Sequence, residues 1–274
     1  MGENMDNYNY EKINSFGLKR KIGAFEIYEP FFRDIKLNDF GNDIWRLKFL
    51  FSKLLYFSGK GSKFKIDQVA DENFFKSINE FKKDWNIDEG NIGIKTIKKI
   101  LDLTNENFIF LIEVILPDNR AKLGTLKLYN MESKLLYSCG ARGHGQHDIE
   151  TSISQKMVNG DTPIGIYLSS YESGILKNDP EKFGYNGVFR LWYPLYGYAT
   201  NIYKINRDGI LIHGGTEKKE LRKTHGCIVI HNNDQKNIQK IMIEKIKHPY
   251  LMPTYYIEFY TGIVMVKRTT SEKD

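Results

Sequence analysis

Cys227 is the residue whose type and setting most directly suggest chemistry. It follows Thr224-His225-Gly226 and opens the apolar run Cys227-Ile228-Val229-Ile230. A glycine before a cysteine lets a substrate approach closely and leaves backbone N–H groups to face an oxyanion. Fourteen residues earlier, the apolar run Ile210-Leu211-Ile212 leads into His213-Gly214-Gly215. Two strand ends, one carrying an imidazole and one a thiol, fit a sulfur nucleophile with a positioned base. A neighbouring imidazole lowers a thiol's pKa and raises its thiolate fraction near neutral pH. The residues alone leave open whether His213 or His225 is the base. Taken singly, a cysteine in an apolar strand is more often an inert core residue. A metal site drawn from His213, His225, His231 and Cys227 is the competing chemistry. Its spacing matches no common zinc signature, so no metal is expected.

The other chemistry-bearing positions are weaker. Cys139 lies in Ser138-Cys139-Gly140. A disulfide to Cys227 would silence the nucleophile, and the expectation is instead a small buried thiol. Residues 140–160 carry His144 and His147 and read as a lid or a plain loop, with a pair of metal ligands as the lesser reading. Residues 170–200, rich in Gly, Tyr and Asn, read as a long irregular stretch whose Tyr residues and Trp192 suit a lid.

The elements that must position these residues are of two kinds. Residues 42–104 have helical periodicity. Asp43 is expected to cap a helix carrying Ile44, Leu47, Leu50, Phe51 and Leu54. Asp71 is expected to cap a second helix with Phe74, Phe75, Ile78 and Phe81 on one face, and Ile94, Ile97, Ile100 and Leu101 mark a third. From about residue 106 the period becomes two. Strands are predicted over 108–116, 123–129, 134–139, from Asp161 through Leu168, over 209–213 and over 227–230. A helix over 234–247 and a hairpin of 255–260 with 263–267 around Thr261-Gly262 complete the reading. The fold class is α+β, a small three-helix domain followed by a mainly-β domain. The expected divisions are an N-terminal extension at 1–40, the helical domain at 41–104 and the β domain at 105–274.

Three separated motifs, in order, carry a family resemblance. Asp161-Thr-Pro-Ile-Gly-Ile-Tyr, Ile210-Leu-Ile-His-Gly-Gly and Thr224-His-Gly-Cys-Ile-Val-Ile-His-Asn-Asn-Asp resemble the signature of the L,D-transpeptidases with the YkuD-type catalytic domain. The resemblance covers roughly residues 106–240. In front of it, Phe64 to Phe81, Asn86 to Thr96 and Ile97 to Leu101 resemble the peptidoglycan-binding domain found beside many cell-wall enzymes. Lys82 stands where that module has Gln, and Glu89 is an insertion.

The resemblance implies that Cys227 is the nucleophile and His213 its base, oriented by the carbonyl of Gly214. It implies an oxyanion pocket from the N–H groups of Gly226 and Cys227 with His225. Thr224 stands where the family has Ser or Thr. Substrate contacts are expected from Thr224, Gly215, Trp192, Tyr193 and Arg222. The implied reaction is acyl transfer on a peptidoglycan tetrapeptide stem, with release of D-Ala, a thioester on Cys227 and a 3–3 cross-link. Water as acceptor would make the protein an L,D-carboxypeptidase. An exported antibacterial effector of the same fold, and a wall-binding protein without turnover, are the alternative readings. The implied chemistry needs no metal or organic cofactor, and carbapenem acylation of Cys227 is implied as well. The sequence departs from the pattern at Val229, where many members have Arg or Asn, and Arg222 or Arg190 is the expected substitute.

Composition fits this frame. The chain has 274 residues, 41% hydrophobic and 14% aromatic, with two cysteines. That excludes global disorder, a disulfide scaffold and a multi-cysteine zinc fold. The net charge of +6 is dispersed, so no nucleic-acid partner is expected. The N-terminus lacks a basic stretch followed by an apolar run and is not a secretory signal as written. The run from Phe108 to Leu116 is too short to cross a bilayer as a helix. A wall substrate would place the protein in the periplasm, in the cell wall or outside the cell, by an export route the sequence does not display.

Overall fold

The computed structural model describes residues 18–22, 25–29, 34–54, 56, 64–104, 108–145, 155, 159–172, 180–196, 209–215, 220–246 and 262–269, and the side chains of 18–22, 25–29, 42, 180 and 192–196 fall outside that description. The chain divides into two compact units. The smaller holds the helices of residues 34–104 and the larger holds everything from Phe108 onward. A two-stranded sheet, β1 (Leu18–Ile22) with β2 (Phe25–Glu29), occurs within the segment read as an extension.

Three amphipathic helices build the helical unit: α1 (Asn42–Ser52), α2 (Glu72–Asp84) and α3 (Ile94–Leu103). Their apolar faces meet in one core that includes Leu47, Phe51, Phe74, Phe81, Ile97 and Ile100. Asp71 caps α2 as its position predicts, accepting the Phe74 N–H at 2.9 Å. Its other carboxylate oxygen takes the ammonium of Lys48 at 2.5 Å, and Asp67 takes the same ammonium at 2.9 Å. Lys48 is fully buried on α1, so this pairing is what makes its burial tolerable. Asp43 does not cap α1. The N-cap is Gly41, because its N–H donates to Gln68 O and starts the helix two residues earlier. Asp43 instead lies in the first turn, where a carboxylate suits the helix dipole. Lys82, the departure from the Gln pattern, is buried and donates to the carbonyls of Gly90 and Asn91 at 2.8 and 2.7 Å. It holds the turn that leads into α3.

The sheet unit is of α+β class. Its strands are β3 (Phe110–Leu116), β4 (Gly124–Tyr129), β5 (Leu135–Ala141), β6 (Gly165–Glu172), β7 (Val188–Tyr196), β8 (Leu211–His213), β9 (Ile228–Val229) and β10 (Gly262–Arg268). They form one eight-stranded sheet in the order β5-β4-β3-β10-β6-β7-β8-β9. The β3–β10 and β8–β9 pairs are parallel and the others antiparallel. Just past β5, Arg142 exchanges both backbone hydrogen bonds with Val229, at 3.0 and 2.9 Å, so the two ends of the sheet order are joined. The helix α4 (Pro180–Phe183) precedes β7, and α5 (Asn232–Glu244) follows β9 two residues earlier than its predicted start. Ile238, Ile241 and Met242 of α5 pack into the core formed by alternate residues of the sheet.

Of residues 170–200, those described, 170–172 and 180–196, are mostly strand rather than an irregular stretch. β6 runs on to Glu172, and β7 pairs with it from Glu172↔Val188 to Ile166↔Tyr196. Phe189 and Leu191 face the core in strand alternation. Gly184, Asn186 and Gly187, among the residues that suggest a loop, lie in the turn of residues 184–187, and Gly174, Asn178 and Gly197 lie outside the described residues. Of the predicted final hairpin, 263–267 belongs to β10, whose partners are β3 and β6, while 255–260 lies outside the described residues.

Candidate active site

The site is built on β8, β9 and the two turns that follow and precede them. β8 and β9 run parallel, with Ile212 opposite Ile228 and His213 opposite Val229. Ile210, Ile212, Ile228 and Ile230 belong to the core cluster. Alternation therefore puts Leu211, His213, Cys227 and Val229 on the opposite face. His213 and Cys227 share that face on neighbouring strands, diagonally related with Cα atoms about 8 Å apart for such a pair. The Cys227 sulfur accepts the Leu211 N–H at 3.4 Å and donates to Gly209 O at 3.7 Å. His213 does not hydrogen-bond that sulfur. Its Nδ1 lies 2.7 Å from Gly214 O.

This contact fixes the tautomer. A carbonyl only accepts, so Nδ1 carries the proton and Nε2 presents its lone pair. His213 is 2% exposed, and the edge of the Phe183 ring packs on it at 5.2 Å between centroids. Burial, with the Arg222 and Lys182 charges adding to it, holds the ring's pKa down to about 4, against the partial opposition of Gly214 O. At neutral pH it is an uncharged base.

The turn before Cys227 is held by hydroxyls. Thr224 Oγ1 donates to Cys227 O at 2.7 Å and accepts the Gly226 N–H at 3.2 Å. Thr162, of the Thr-Pro motif, donates to Gly226 O at 2.8 Å. Gly226 has φ of 109°, a conformation that favours glycine. The expectation that Gly226 N–H serves an oxyanion pocket is corrected: that donor is engaged by Thr224. Cys227 N–H and the exposed His225 are the remaining members of that set.

The His213-Gly214-Gly215 turn is clasped by α4 and α5. Gly214 N–H donates to Phe183 O at 3.1 Å, and Gly215 N–H donates to Asn232 Oδ1 at 2.7 Å. Buried Gln235 donates to Phe183 O and Gly187 O at 2.9 and 2.6 Å. A side chain at 214 would meet Gln235 Oε1 at 2.5 Å and Asn232 Oδ1 at 2.7 Å, so it would displace the hydrogen-bonding ends of both. Arg222 reaches the same clasp through a hydrogen bond to Lys182 O.

The remaining sequence candidates fall as follows. Trp192 and Tyr193 sit within β7, Trp192 opposite Leu168, and so are strand residues rather than parts of a lid loop. Arg190 is engaged by Glu172 in a two-pronged ion pair at 2.7 and 3.3 Å. That pairing removes it as the substitute for the cation absent at Val229. His144 is fully buried, its Nδ1 lying 3.1 Å from Asp161 Oδ1, which also accepts the Gly145 N–H at 2.8 Å. His147 lies outside the described residues. His231 is the N-cap residue of α5. Among the described residues, no three His, Cys, Asp or Glu side chains gather as a metal would require. Cys139 and Cys227 are both free thiols. Burial, with Asp234 nearby, pushes the Cys139 thiol up to about 12, so it is unreactive at neutral pH. Thr162, Asn232, Gln235 and Arg142 were missed by sequence reasoning. Thr162 and Asn232 had a signal, their places in the Thr-Pro motif and in the motif that follows Cys227.

No family model, no curated protein and no solved structure matches this chain.

Proposed function

We propose that this protein is a cysteine acyltransferase of the L,D-transpeptidase kind, acting on the tetrapeptide stems of peptidoglycan. The observation that carries the reading is the placement of Cys227 on one face with a His213 whose Nδ1 proton is held by Gly214 O. That arrangement supplies a neutral base with its lone pair on Nε2. Rotation of the Cys227 side chain from Leu211 N–H toward Nε2 would bring the thiol to its base. Nε2 takes the thiol proton as sulfur attacks the carbonyl of the third stem residue. The carbonyl oxygen becomes an oxyanion, stabilised by Cys227 N–H and His225. Collapse breaks the peptide bond, and the D-Ala amine leaves with the proton from His213. The thioester is then attacked by the side-chain amine of a neighbouring stem, which restores the thiol and leaves a 3–3 link. The helical unit, on the same reading, binds the wall, and the protein acts in the periplasm, in the cell wall or outside the cell.

The test is mass spectrometry of disaccharide-tetrapeptide incubated with the full chain, wild type against Cys227→Ala. Loss of D-Ala with formation of cross-linked dimers, absent in the variant, is the expected result. Loss of D-Ala without dimers would reassign the acceptor to water. No change in the muropeptide, and no carbapenem adduct on Cys227, would overturn the enzymatic reading in favour of a wall-binding protein.

A further inference from the structure

Val229 leaves the Cys227 site without a cation from its own strand, yet the neighbouring segment supplies one. Arg142 and Val229 are directly paired in an antiparallel bridge. Directly paired residues project from the same face of a sheet. Val229 shares its face with Cys227 and His213 by the β8–β9 register. One lateral row therefore reads His213, Val229, Arg142, and Cys227 is diagonal to both ends of it. The diagonal spacing of about 7–8 Å lies within reach of a long side chain. In this register His213 flanks Cys227 on one side and Arg142 flanks it on the other.

Arg142 is also in a state to bind. Its Nη1 donates to Leu221 O at 2.5 Å, which restrains the guanidinium, and its buried Nε has no hydrogen-bond partner among the described residues. Among the described residues no carboxylate pairs with it, whereas Arg190 is paired with Glu172 and Arg268 with Asp118. It is half-buried, so the charge acts across a partly desolvated path. Lys223 adds to the positive field there, since it and Arg142 both disfavour protonation of the buried His144.

We propose that Arg142 is a specificity-determining residue of the Cys227 site and binds a carboxylate of the acylating peptide. The inference deepens the function proposed above and rests on it for the identity of the peptide. The carboxylate has two sources in a tetrapeptide stem, the terminal carboxylate of the leaving residue and the side-chain carboxylate of the diamino acid.

The first test needs no turnover. Alkylation of the full-length protein by iodoacetate and by iodoacetamide is followed at Cys227 by mass spectrometry, with a free thiol as reference. Arg142 is expected to raise the iodoacetate-to-iodoacetamide rate ratio at Cys227 above that of the reference. Arg142→Gln should lower that ratio by about tenfold; any change in thiolate fraction moves both rates together and cancels in the ratio. Arg142→Lys should recover part of it. Labelling of Cys139 reports loss of fold, and the expected variant shows none. An unchanged ratio in Arg142→Gln, or a fall confined to Arg222→Gln, overturns the proposal. With peptide substrates, Arg142→Gln should raise KM about tenfold for the acid and have no further effect on the stem amidated at whichever carboxylate it binds. A KM penalty that persists with both amidated stems overturns it as well. Absence of any turnover defeats the proposed function, while the alkylation ratio still decides the role of Arg142.

Discussion

The neutrality of His213 can be tested by acid. Its folded pKa is about 4, against 6.5 for the free imidazole. The unfolded chain takes up a proton as pH falls below about 6.5, and the folded chain does not until about pH 4. Protons therefore favour the unfolded state within that window. The associated stability is fully present above pH 6.5, falls as pH drops, and levels off below pH 4. At about 1.4 kcal/mol per tenfold change in proton affinity, the loss comes to about 3 kcal/mol. The ring is 2% exposed, so solvent screening takes little from this figure. Urea denaturation of wild type and His213→Gln at pH 7 and pH 4 measures it. Groups common to both chains, His144 among them, cancel in the difference. Wild type is expected to lose about 3 kcal/mol more than the variant. In carbon-13 spectra of histidine-labelled protein, one ring should titrate near pH 4. Equal losses in the two proteins, with the ring signal missing from His213→Gln titrating near 6.5, would refute both the burial argument and the assignment of Nε2 as a neutral base. The corollary for catalysis is an acid limb displaced well below the ordinary imidazole range.

Further predictions concern the supports. Asp71→Ala removes a cap and a partner of fully buried Lys48, and should cost about 3–5 kcal/mol in urea denaturation. Lys48→Met, which replaces the charge by an apolar side chain, should cost less than Asp71→Ala. Lys82→Met leaves Gly90 O and Asn91 O without their donor, and should cost about 1–3 kcal/mol while speeding amide exchange across residues 86–91. Gln235→Leu releases the clasp on the His213 turn. It should lower the rate of Cys227 acylation by a carbapenem about tenfold, with the histidine spectra showing His213 titrating closer to its ordinary range. Thr162→Val frees Gly226 O and should slow the same acylation without moving the His213 titration.

What the sequence made legible follows from the range of the forces involved. The helices of residues 42–103 and the cap at Asp71 are local, and periodicity with one short-range hydrogen bond defines them. The start of α1 was misplaced because a contact from distant Gln68 to Gly41 N–H decides it. β7 was hidden because the Gly and Asn of its turn were counted as if they described the whole stretch. The alternation of Phe189 and Leu191 was the better signal.

The site divides along the same line. Cys227, His213 and Gly214 were legible because each sits beside a glycine at the end of an apolar run. Their relation, two parallel strands in register with both side chains on one face, depends on residues fourteen apart in sequence. Arg142 was out of reach altogether. It lies 87 residues before Val229, inside a segment that reads as a loop, and a single bridge brings it across the sheet. Its type alone says nothing, because a lone arginine in a polar stretch is usually a solvated side chain. Register gives it meaning, since the same guanidinium one residue earlier or later would face away from Cys227. Moving Arg142 by one position, through insertion of an alanine after Ala141, should therefore abolish the iodoacetate preference even though the composition of the segment is nearly unchanged. A preference that survived the shift would mean that the cation acts through the general field of the site rather than from a fixed place in the row.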